Sequence, residues 1–228
     1  MPLAGKAMLL TSMDVDPSDE AEFNRWYDRE HLLERVAIDG FLEARRYIAH
    51  QGSPKYLCLY STGTFEVLDS PAYRTVLANP TDWSKKSMAR FKNMIRAVAR
   101  ITISRGQGRG AALGVIRVRP AAGGEDTLRT ALRDMLDPDG HDGIISMHLI
   151  ESDPALSRPI GEDSAASIPG SGDWFVLVDG TDVDAIAAII AKRFIGAAAL
   201  NSSAVVSTGL YSLMWDLAKS DIPASKPR

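Results

Sequence analysis

Apolar and polar positions in the first hundred residues predict the element order βαββαβ. Four stretches alternate or run apolar at strand length and are bounded by turn residues. They are residues 6–13, 41–50, 55–62 and 95–104. A helix over 17–36 separates the first two strands, with Asp16 as its N-cap and Pro17 in its first turn. Two shorter helical pieces, over 70–77 and 82–93, precede the fourth strand.

The second half of the chain repeats this order. In chain order, it is predicted to contain a strand at 112–119, a helix at 123–136, strands at 143–151 and 173–180, a helix at 181–195 and a strand at 203–215. We therefore divide the chain into a first unit (1–105), a glycine-rich linker (106–110), a second unit (111–218) and a tail (219–228). Residues 152–172, rich in Ser, Pro, Gly and Asp, form either a flap over a pocket or a disordered surface loop.

The linker also fits a dinucleotide-binding pattern, G-x-G-x-x-A, through Gly106, Gly108 and Ala111. That pattern requires a helix directly after the glycines, whereas the next residues have a strand pattern. We interpret the segment as a linker.

Residues 21–48 concentrate aromatic, acidic, imidazole and guanidinium side chains as no other part of the chain does. On a regular helix, one face carries Phe23, Trp26, Tyr27, Glu30 and Leu33 or Glu34. Glu30 then lies within the apolar stripe, and His31 lies on its flank one turn beyond Tyr27. A buried carboxylate needs a partner or a raised pKa. Arg45 and Arg46 on the next strand are the nearest cations.

Strand side chains alternate, so one of Arg45 and Arg46 faces the helix and the other faces away. Arg46 shares its face with the apolar Leu42, Ala44 and Ile48. Either arginine remains a candidate for binding a substrate carboxylate.

Composition excludes several classes of function. The net charge of −3 gives no basic field for nucleic acid. The longest apolar tract, 183–200, is interrupted by Lys192 and Arg193, which argues against a membrane span. The single cysteine, Cys58, lies in an apolar strand, so we expect a buried thiol, no internal disulfide and a cytoplasmic protein. Neither a metal-ligand spacing nor a nucleotide motif is present, so we expect no metal and no cofactor.

The pattern WYDREHLLERV…GFLEARRY, followed by PKYLCLYS, resembles the EthD-like branch of the dimeric α+β barrel superfamily. The resemblance covers residues 6–104, and the second half is similar in element order only. It implies an α+β fold in which two tandem ferredoxin-like βαββαβ units pair their sheets into a barrel-type pseudo-dimer. It also implies that ligands bind between the first helix and the strands.

This resemblance directs the choice of site residues. We predict Tyr27, His31 and Glu30 as catalytic. Predicted substrate-binding residues are Arg45, Arg46, Trp26, Asp14, Tyr60 and His148, the last because it aligns with Arg45 in the repeat. The structural alternatives are a core role for Trp26, an ion pair for Glu30 and a helix C-cap for His31.

An acid–base site with an anion clamp and no cofactor suits proton transfer. We predict a cofactor-independent isomerase or lyase acting on a small unsaturated carboxylate from aromatic-compound catabolism. A cofactor-free oxygenase of a phenolic substrate and a non-enzymatic small-ligand-binding accessory protein are the alternatives, and a homodimer is left open.

Overall fold

A computed structural model of the chain describes residues 3–158, 170–197, 200 and 205–223. The eight strands are β1 (Ala7–Asp14), β2 (Phe41–Gln51), β3 (Tyr56–Thr62), β4 (Lys92–Gly106), β5 (Ala112–Val118), β6 (Ile144–Ser152), β7 (Trp174–Gly180) and β8 (Val205–Ala218). The α-helices are α1 (Glu20–Trp26), α2 (Leu32–Ala37), α3 (Pro71–Ala78), α4 (Asp82–Met88), α5 (Glu125–Met135) and α6 (Val183–Arg193). Every predicted element is present in the predicted order.

The first helix begins later than predicted. Asp16 accepts a backbone hydrogen bond from Asp19, which closes a turn, and Asp19 is the N-cap of α1. Asp16 instead forms an ion pair with Lys92. The N-cap prediction was wrong because Asp16-Pro17 starts a turn as readily as a helix.

All strand pairs are antiparallel and close into one barrel, in the order β1-β3-β2-β8-β5-β7-β6-β4. The first half contributes neighbours β4-β1-β3-β2 and the second half β8-β5-β7-β6, so both halves use the same strand order. The pairs β2–β8 and β4–β6 join the halves. The barrel is therefore an α+β barrel completed within a single chain.

Each strand has an inner and an outer side, because successive side chains point to opposite faces. Apolar residues from all eight strands fill the barrel interior, among them Met8, Tyr47, Leu59, Phe175 and Leu177. Two further cores lie outside the barrel, between each half-sheet and its helices. Adjacent residues of one strand consequently belong to two separate environments.

The glycine-rich connection from β4 to β5 packs over one end of the barrel. A Cβ on Gly110 would meet the Gly180 carbonyl oxygen at 1.7 Å, so this close approach of two backbones requires glycine. Arg109 in the same segment forms an ion pair with Glu43 of the barrel interior. The predicted linker is a packed lid on the barrel end.

The predicted tail starts as a short 3₁₀ turn, Lys219–Asp221. Lys219 Nζ donates to the carbonyl oxygens of Val36, Ala37 and Ile38 at 2.6–3.2 Å, and so binds the C-terminal end of α2. Residues 224–228, and residues 159–169 of the predicted flap, lie outside the described residues. No helix in the described ranges is long and apolar enough to cross a bilayer.

Candidate functional site

A π turn interrupts the first helix at the predicted catalytic residues. It spans Tyr27–His31, between α1 and α2, and its last backbone bond runs from the Leu32 N–H to the Tyr27 carbonyl oxygen. The additional residue in this turn rotates the buried face by one position. Beyond Tyr27 the buried residues are His31, Leu32, Arg35 and Val36. π turns in α-helices frequently mark functional sites.

This rotation places Glu30 differently from the prediction. It does not lie within the apolar stripe or pair with an arginine of β2. Its Oε1 accepts hydrogen bonds from Thr81 Oγ1 at 2.5 Å and Ser84 Oγ at 3.1 Å, at the start of α4. Ser84 Oγ also accepts from Trp26 Nε1 at 3.1 Å. Glu30 and Trp26 together hold α4 against the first helix, and Trp26 is a fully buried core residue.

Tyr27 and His31 face the outer side of the first half-sheet, as predicted. Their ring centroids are 5.0 Å apart in an edge-on arrangement, and the His31 ring lies 6.3 Å from that of Tyr60 on β3. Strand register places Thr11 of β1 opposite Cys58 of β3 on the same side. We call these five residues, Thr11, Tyr27, His31, Cys58 and Tyr60, the helix-facing cluster.

Burial keeps the titratable groups of the helix-facing cluster neutral. It lowers the pKa of His31 well below its ordinary value, and the positive charges of Arg35 and Arg46 act in the same direction. Burial raises the pKa of the Tyr27 and Tyr60 phenols, and it raises that of the Cys58 thiol to about 12. The cluster thus offers a neutral imidazole beside protonated phenols.

Several polar atoms in and beside this cluster are buried without a hydrogen-bond partner in the described part of the chain. They are Thr11 Oγ1, His31 Nδ1, Tyr60 OH and Arg46 Nε. The nearest carboxylate oxygen to His31 Nδ1 is Glu34 Oε2, at 4.0 Å, too far for a hydrogen bond. A buried unsatisfied polar atom costs about 1–3 kcal/mol, so atoms of this kind call for an explanation. Bonding to a ligand is one such explanation.

Arg46 is the β2 arginine that faces the helix. Its guanidinium is fully buried, donates to Asp28 Oδ1 at 3.0 Å and to Asn24 Oδ1 at 2.5 Å, and stacks on the Tyr27 ring at 4.2 Å. Two helix residues therefore already bind the fork that was predicted to clamp a substrate. Arg46 places a positive charge beside the Tyr27 ring.

Arg45 lies inside the barrel and does not share the site of Tyr27 and His31. Its Nη1 donates to Asp179 Oδ1 at 3.3 Å and its Nη2 to the Gly110 carbonyl oxygen at 2.9 Å. His148 lies in the same interior, with Nε2 3.8 Å from Asp179 Oδ2. The repeat alignment of Arg45 with His148 thus brings both side chains to one carboxylate, across the sheet from the predicted catalytic residues.

Asp14 occupies a third place, at the rim where β1, β3 and β4 meet. Its two carboxylate oxygens accept from the Lys55 backbone N–H at 2.6 Å and from Asn93 Nδ2 at 2.9 Å. These bonds tie the ends of the strands together, so Asp14 does not reach the helix-facing cluster.

Burial shifts the pKa values of two groups in the barrel interior, His148 and Asp179, in opposite directions. Burial lowers the pKa of His148 to about 3, helped by the Arg109 charge, and burial raises the pKa of Asp179 to about 6. Ser146 donates its hydroxyl proton to the Gly108 carbonyl, so the His148 Nε2–H must donate to Ser146 Oγ at 2.9 Å. A neutral imidazole satisfies this arrangement.

The sign of each shift predicts how stability changes with pH. Between about pH 6.5 and 3 the unfolded state binds a proton on His148 that the folded state does not, which destabilises the fold on acidification. Between about pH 6 and 3.9 the folded state binds a proton on Asp179 that the unfolded state does not, which offsets that loss. Asp179→Asn should therefore make the unfolding free energy fall more steeply from pH 6 to 4, by up to about 1.4 kcal/mol per pH unit. Urea titrations at a series of pH values measure this, and parallel curves for the two proteins would contradict it.

The sequence interpretation missed a pocket beside the helix-facing cluster. It opens between α3 and residues 153–158, with about 820 Å³ of empty space including the part open to solvent. Arg96 of β4 lines it and lies opposite Thr11 on the neighbouring strand. A charged residue two positions before Val98, in a buried strand pattern, was the signal that could have identified it.

The chain is similar to known proteins in three-dimensional structure and not in sequence. No protein-family model matches the chain, and no curated protein matches it. An anthrone oxidase-like protein is 9% identical with a TM-score of 0.65, over 97% of this chain and 96% of that one. A candidate monooxygenase from Lactobacillus acidophilus is 9% identical with a TM-score of 0.57, over 94% and 97%. A heme-binding protein from Thermus thermophilus is 9% identical with a TM-score of 0.51, over 96% and 94%. At these identities the likeness shows the fold alone, an α+β fold with a closed eight-stranded antiparallel barrel.

Proposed function

We propose that this protein is a cofactor-independent oxygenase that oxidises a phenolic, anthrone-type substrate. The reaction takes place between the first helix and the outer face of the β4-β1-β3-β2 sheet. We also propose that the chain belongs to the EthD-like branch, as two tandem ferredoxin-like units of which the first carries the site. A protein of the same fold named anthrone oxidase-like, and another named as a candidate monooxygenase, support oxidation over isomerisation.

The buried Nδ1 atom of His31, which has no hydrogen-bond partner in the described part of the chain, carries this proposal. It comes from the helix, and the ring of Tyr60 on β3 lies 6.3 Å from the His31 ring. His31 is neutral because its pKa is depressed, so it can accept the proton that an acidic ring carbon releases. The phenols of Tyr27 and Tyr60 keep their protons. Tyr27 OH donates to Met13 Sδ at 3.7 Å, a weak acceptor that a substrate oxygen would replace as negative charge develops there.

The electron balance of the reaction needs dioxygen as co-substrate and no other oxidant. The substrate methylene loses two hydrogens and gains one oxygen atom, and the second oxygen atom leaves as water. The four electrons come from the methylene carbon, and the first proton goes to His31. Arg46, 4.2 Å from the Tyr27 ring, adds a positive field on the side where the anion forms.

Isomerisation of a small unsaturated carboxylate, the activity predicted from the sequence, is the second candidate. It would use the same base and the same donors without dioxygen. The observation in its favour is the arginine-lined pocket next to the cluster, which suits a carboxylate. If the protein is instead a non-enzymatic small-ligand-binding accessory protein, its ligand would occupy that pocket without turnover.

Haem does not fit His141 or His148. An axial haem ligand needs a ring nitrogen that is free to bind iron. Both ring nitrogens of His148 contact serine hydroxyls at 2.9 Å, and His141 Nε2 lies 3.1 Å from Arg193 Nη1. His50 is exposed at the end of β2. No step of the proposed reaction involves haem.

An oxygen electrode with anthrone as the probe tests the proposed function. We expect one dioxygen consumed per quinone formed, at a rate well above the spontaneous oxidation measured without protein and unchanged by a chelator. Conversion of a conjugated lactone with no dioxygen uptake would instead identify an isomerase. Anthrone binding without turnover would identify a binding protein.

A further inference from the structure

We propose that the pocket at Arg96 binds the carboxylate of a flat aromatic acid. This inference names the substrate class of the proposed site, and its binding step stands whether or not oxidation occurs. The walls of the pocket combine three arginines and one carboxylate with an apolar surface. The arginines are Arg74, Arg96 and Arg158, the carboxylate is Asp69, and the apolar surface comes from Leu68, Tyr73, Leu77, Leu156 and two alanines. Such a pocket, mostly apolar with a few convergent polar groups, is typical of small-molecule sites.

Arg96 is the strongest element of this site. Its side chain is buried, with 8% of the residue exposed. Its guanidinium donates to the Leu156 carbonyl at 2.6 Å, to the Arg158 carbonyl at 3.4 Å and to the Tyr73 hydroxyl at 3.3 Å. None of these partners carries a negative charge, and Arg96 forms no ion pair with the residues that the structure describes. A buried cation is stabilised by a hydrogen-bonded anion, so an anionic ligand at Arg96 would be a favourable partner.

The other two arginines of the pocket differ in whether an acidic residue already binds their guanidinium group. Arg74 donates to Asp69 Oδ1 from Nε at 2.9 Å and from Nη2 at 2.5 Å, so its fork is already occupied on the pocket rim. Arg158 is exposed, and its side chain forms no ion pair in the part of the chain that the structure describes. Arg96 donates three hydrogen bonds to neutral acceptors and keeps further guanidinium N–H groups, so Arg96 and Arg158 are the candidates for binding a carboxylate.

Strand register links this pocket to the helix-facing cluster. Arg96 lies opposite Thr11, and β1 is followed in the sheet by β3, which carries Tyr60. Thr11 in turn lies opposite Cys58 on β3, and neighbouring strands are about 4.8 Å apart, so two strand spacings, roughly 10 Å, separate Arg96 from Cys58. Tyr60 lies two residues further along β3. A carboxylate held at Arg96 would direct a rigid fused-ring body along the row of Thr11 and Cys58, toward the helix-facing cluster. Flat fused-ring acids match that distance better than short aliphatic ones.

Binding of 2-naphthoate, compared with the uncharged 2-naphthamide, tests this inference by calorimetry without dioxygen or turnover. We expect the unmodified protein to bind the acid more tightly than the amide. Arg96→Gln should weaken acid binding by about tenfold or more, because a charge-assisted fork is lost, and should leave amide binding nearly unchanged. Arg158→Gln should weaken acid binding several-fold. Arg105→Gln, which removes an exposed charge further along the same strand, is the matched control and should change neither affinity.

Equal affinities for acid and amide in the unmodified protein would overturn the proposal, as would equal losses in Arg96→Gln and Arg105→Gln. If Arg96→Gln does not fold, Arg158→Gln and Arg96→Lys take its place, since lysine keeps the charge and loses the fork. Unchanged acid binding in both would also overturn the proposal. Failure of anthrone oxidation with the acid preference intact would refute the oxygenase and leave the carboxylate pocket standing.

Discussion

Replacing His31 with glutamine should lower kcat for anthrone oxidation by about 10²–10⁴-fold, the usual contribution of a general base. Glutamine keeps a polar side chain of similar size at this buried position but cannot accept a proton from carbon. Steady-state dioxygen uptake measures the effect, and circular dichroism checks that the barrel is folded. Arg29→Gln, an exposed neighbour in the same π turn, is the matched control and should retain full activity.

Tyr27→Phe tests the donor that accompanies this base. It removes one oxygen atom and keeps the ring on which Arg46 stacks, so we expect a loss of the same order in kcat with little change in stability. The pH profile adds a second readout. Because the pKa of His31 is lowered, the acid-side loss of activity should occur below pH 6.5, where the imidazole gains its proton. Normal turnover in both variants would mean that this helix face is core and that catalysis occurs elsewhere.

Replacing Arg45 with methionine should lower the free energy of unfolding by about 3–5 kcal/mol, the cost of leaving one member of a buried ion pair alone. The side chains of Arg45 and Asp179 are 8% and 2% exposed, so water cannot replace the lost partner. Arg45 also donates to the Gly110 carbonyl, so the variant should loosen the lid over the barrel end. Urea denaturation measures the change, and KM of the folded fraction should stay the same.

The double variant Arg45→Met, Asp179→Leu separates the ion pair from the space that it fills. Replacing both partners with apolar side chains often restores much of the stability that one deletion removes. We therefore expect the double variant to be more stable than Arg45→Met alone. A fully stable Arg45→Met variant with a KM raised tenfold would contradict the structural role and return Arg45 to substrate binding.

The candidate site could be predicted from sequence where one segment carried the information. Tyr27, His31 and Trp26 lie within six residues of one helix, and their aromatic and imidazole character together with the family resemblance selected them. The predicted position of Glu30 within the apolar stripe was wrong because the prediction assumed 3.6 residues per turn throughout. One π turn changes the phase of every later residue in the helix, and the apolar periodicity of the sequence does not show where such a turn forms.

The order of strands and helices could be predicted from the sequence alone because strand and helix periodicities are short-range properties of neighbouring residues. The alternation also showed that Arg45 and Arg46 occupy opposite faces of β2. What each face meets was decided by tertiary structure. Arg45 meets Asp179, 134 positions away, and Arg46 meets residues of the first helix.

The arginine pocket illustrates the same division. Arg96 stands out as a charge in a buried strand, which the sequence displays. Its position opposite Thr11 depends on the pairing of β4 with β1, and its partners Tyr73 and Leu156 come from segments on either side in the chain. Local chemistry determined which side chains this protein has available. Long-range strand pairing and barrel closure determined which of them share a site, because those contacts depend on the whole chain folding at once.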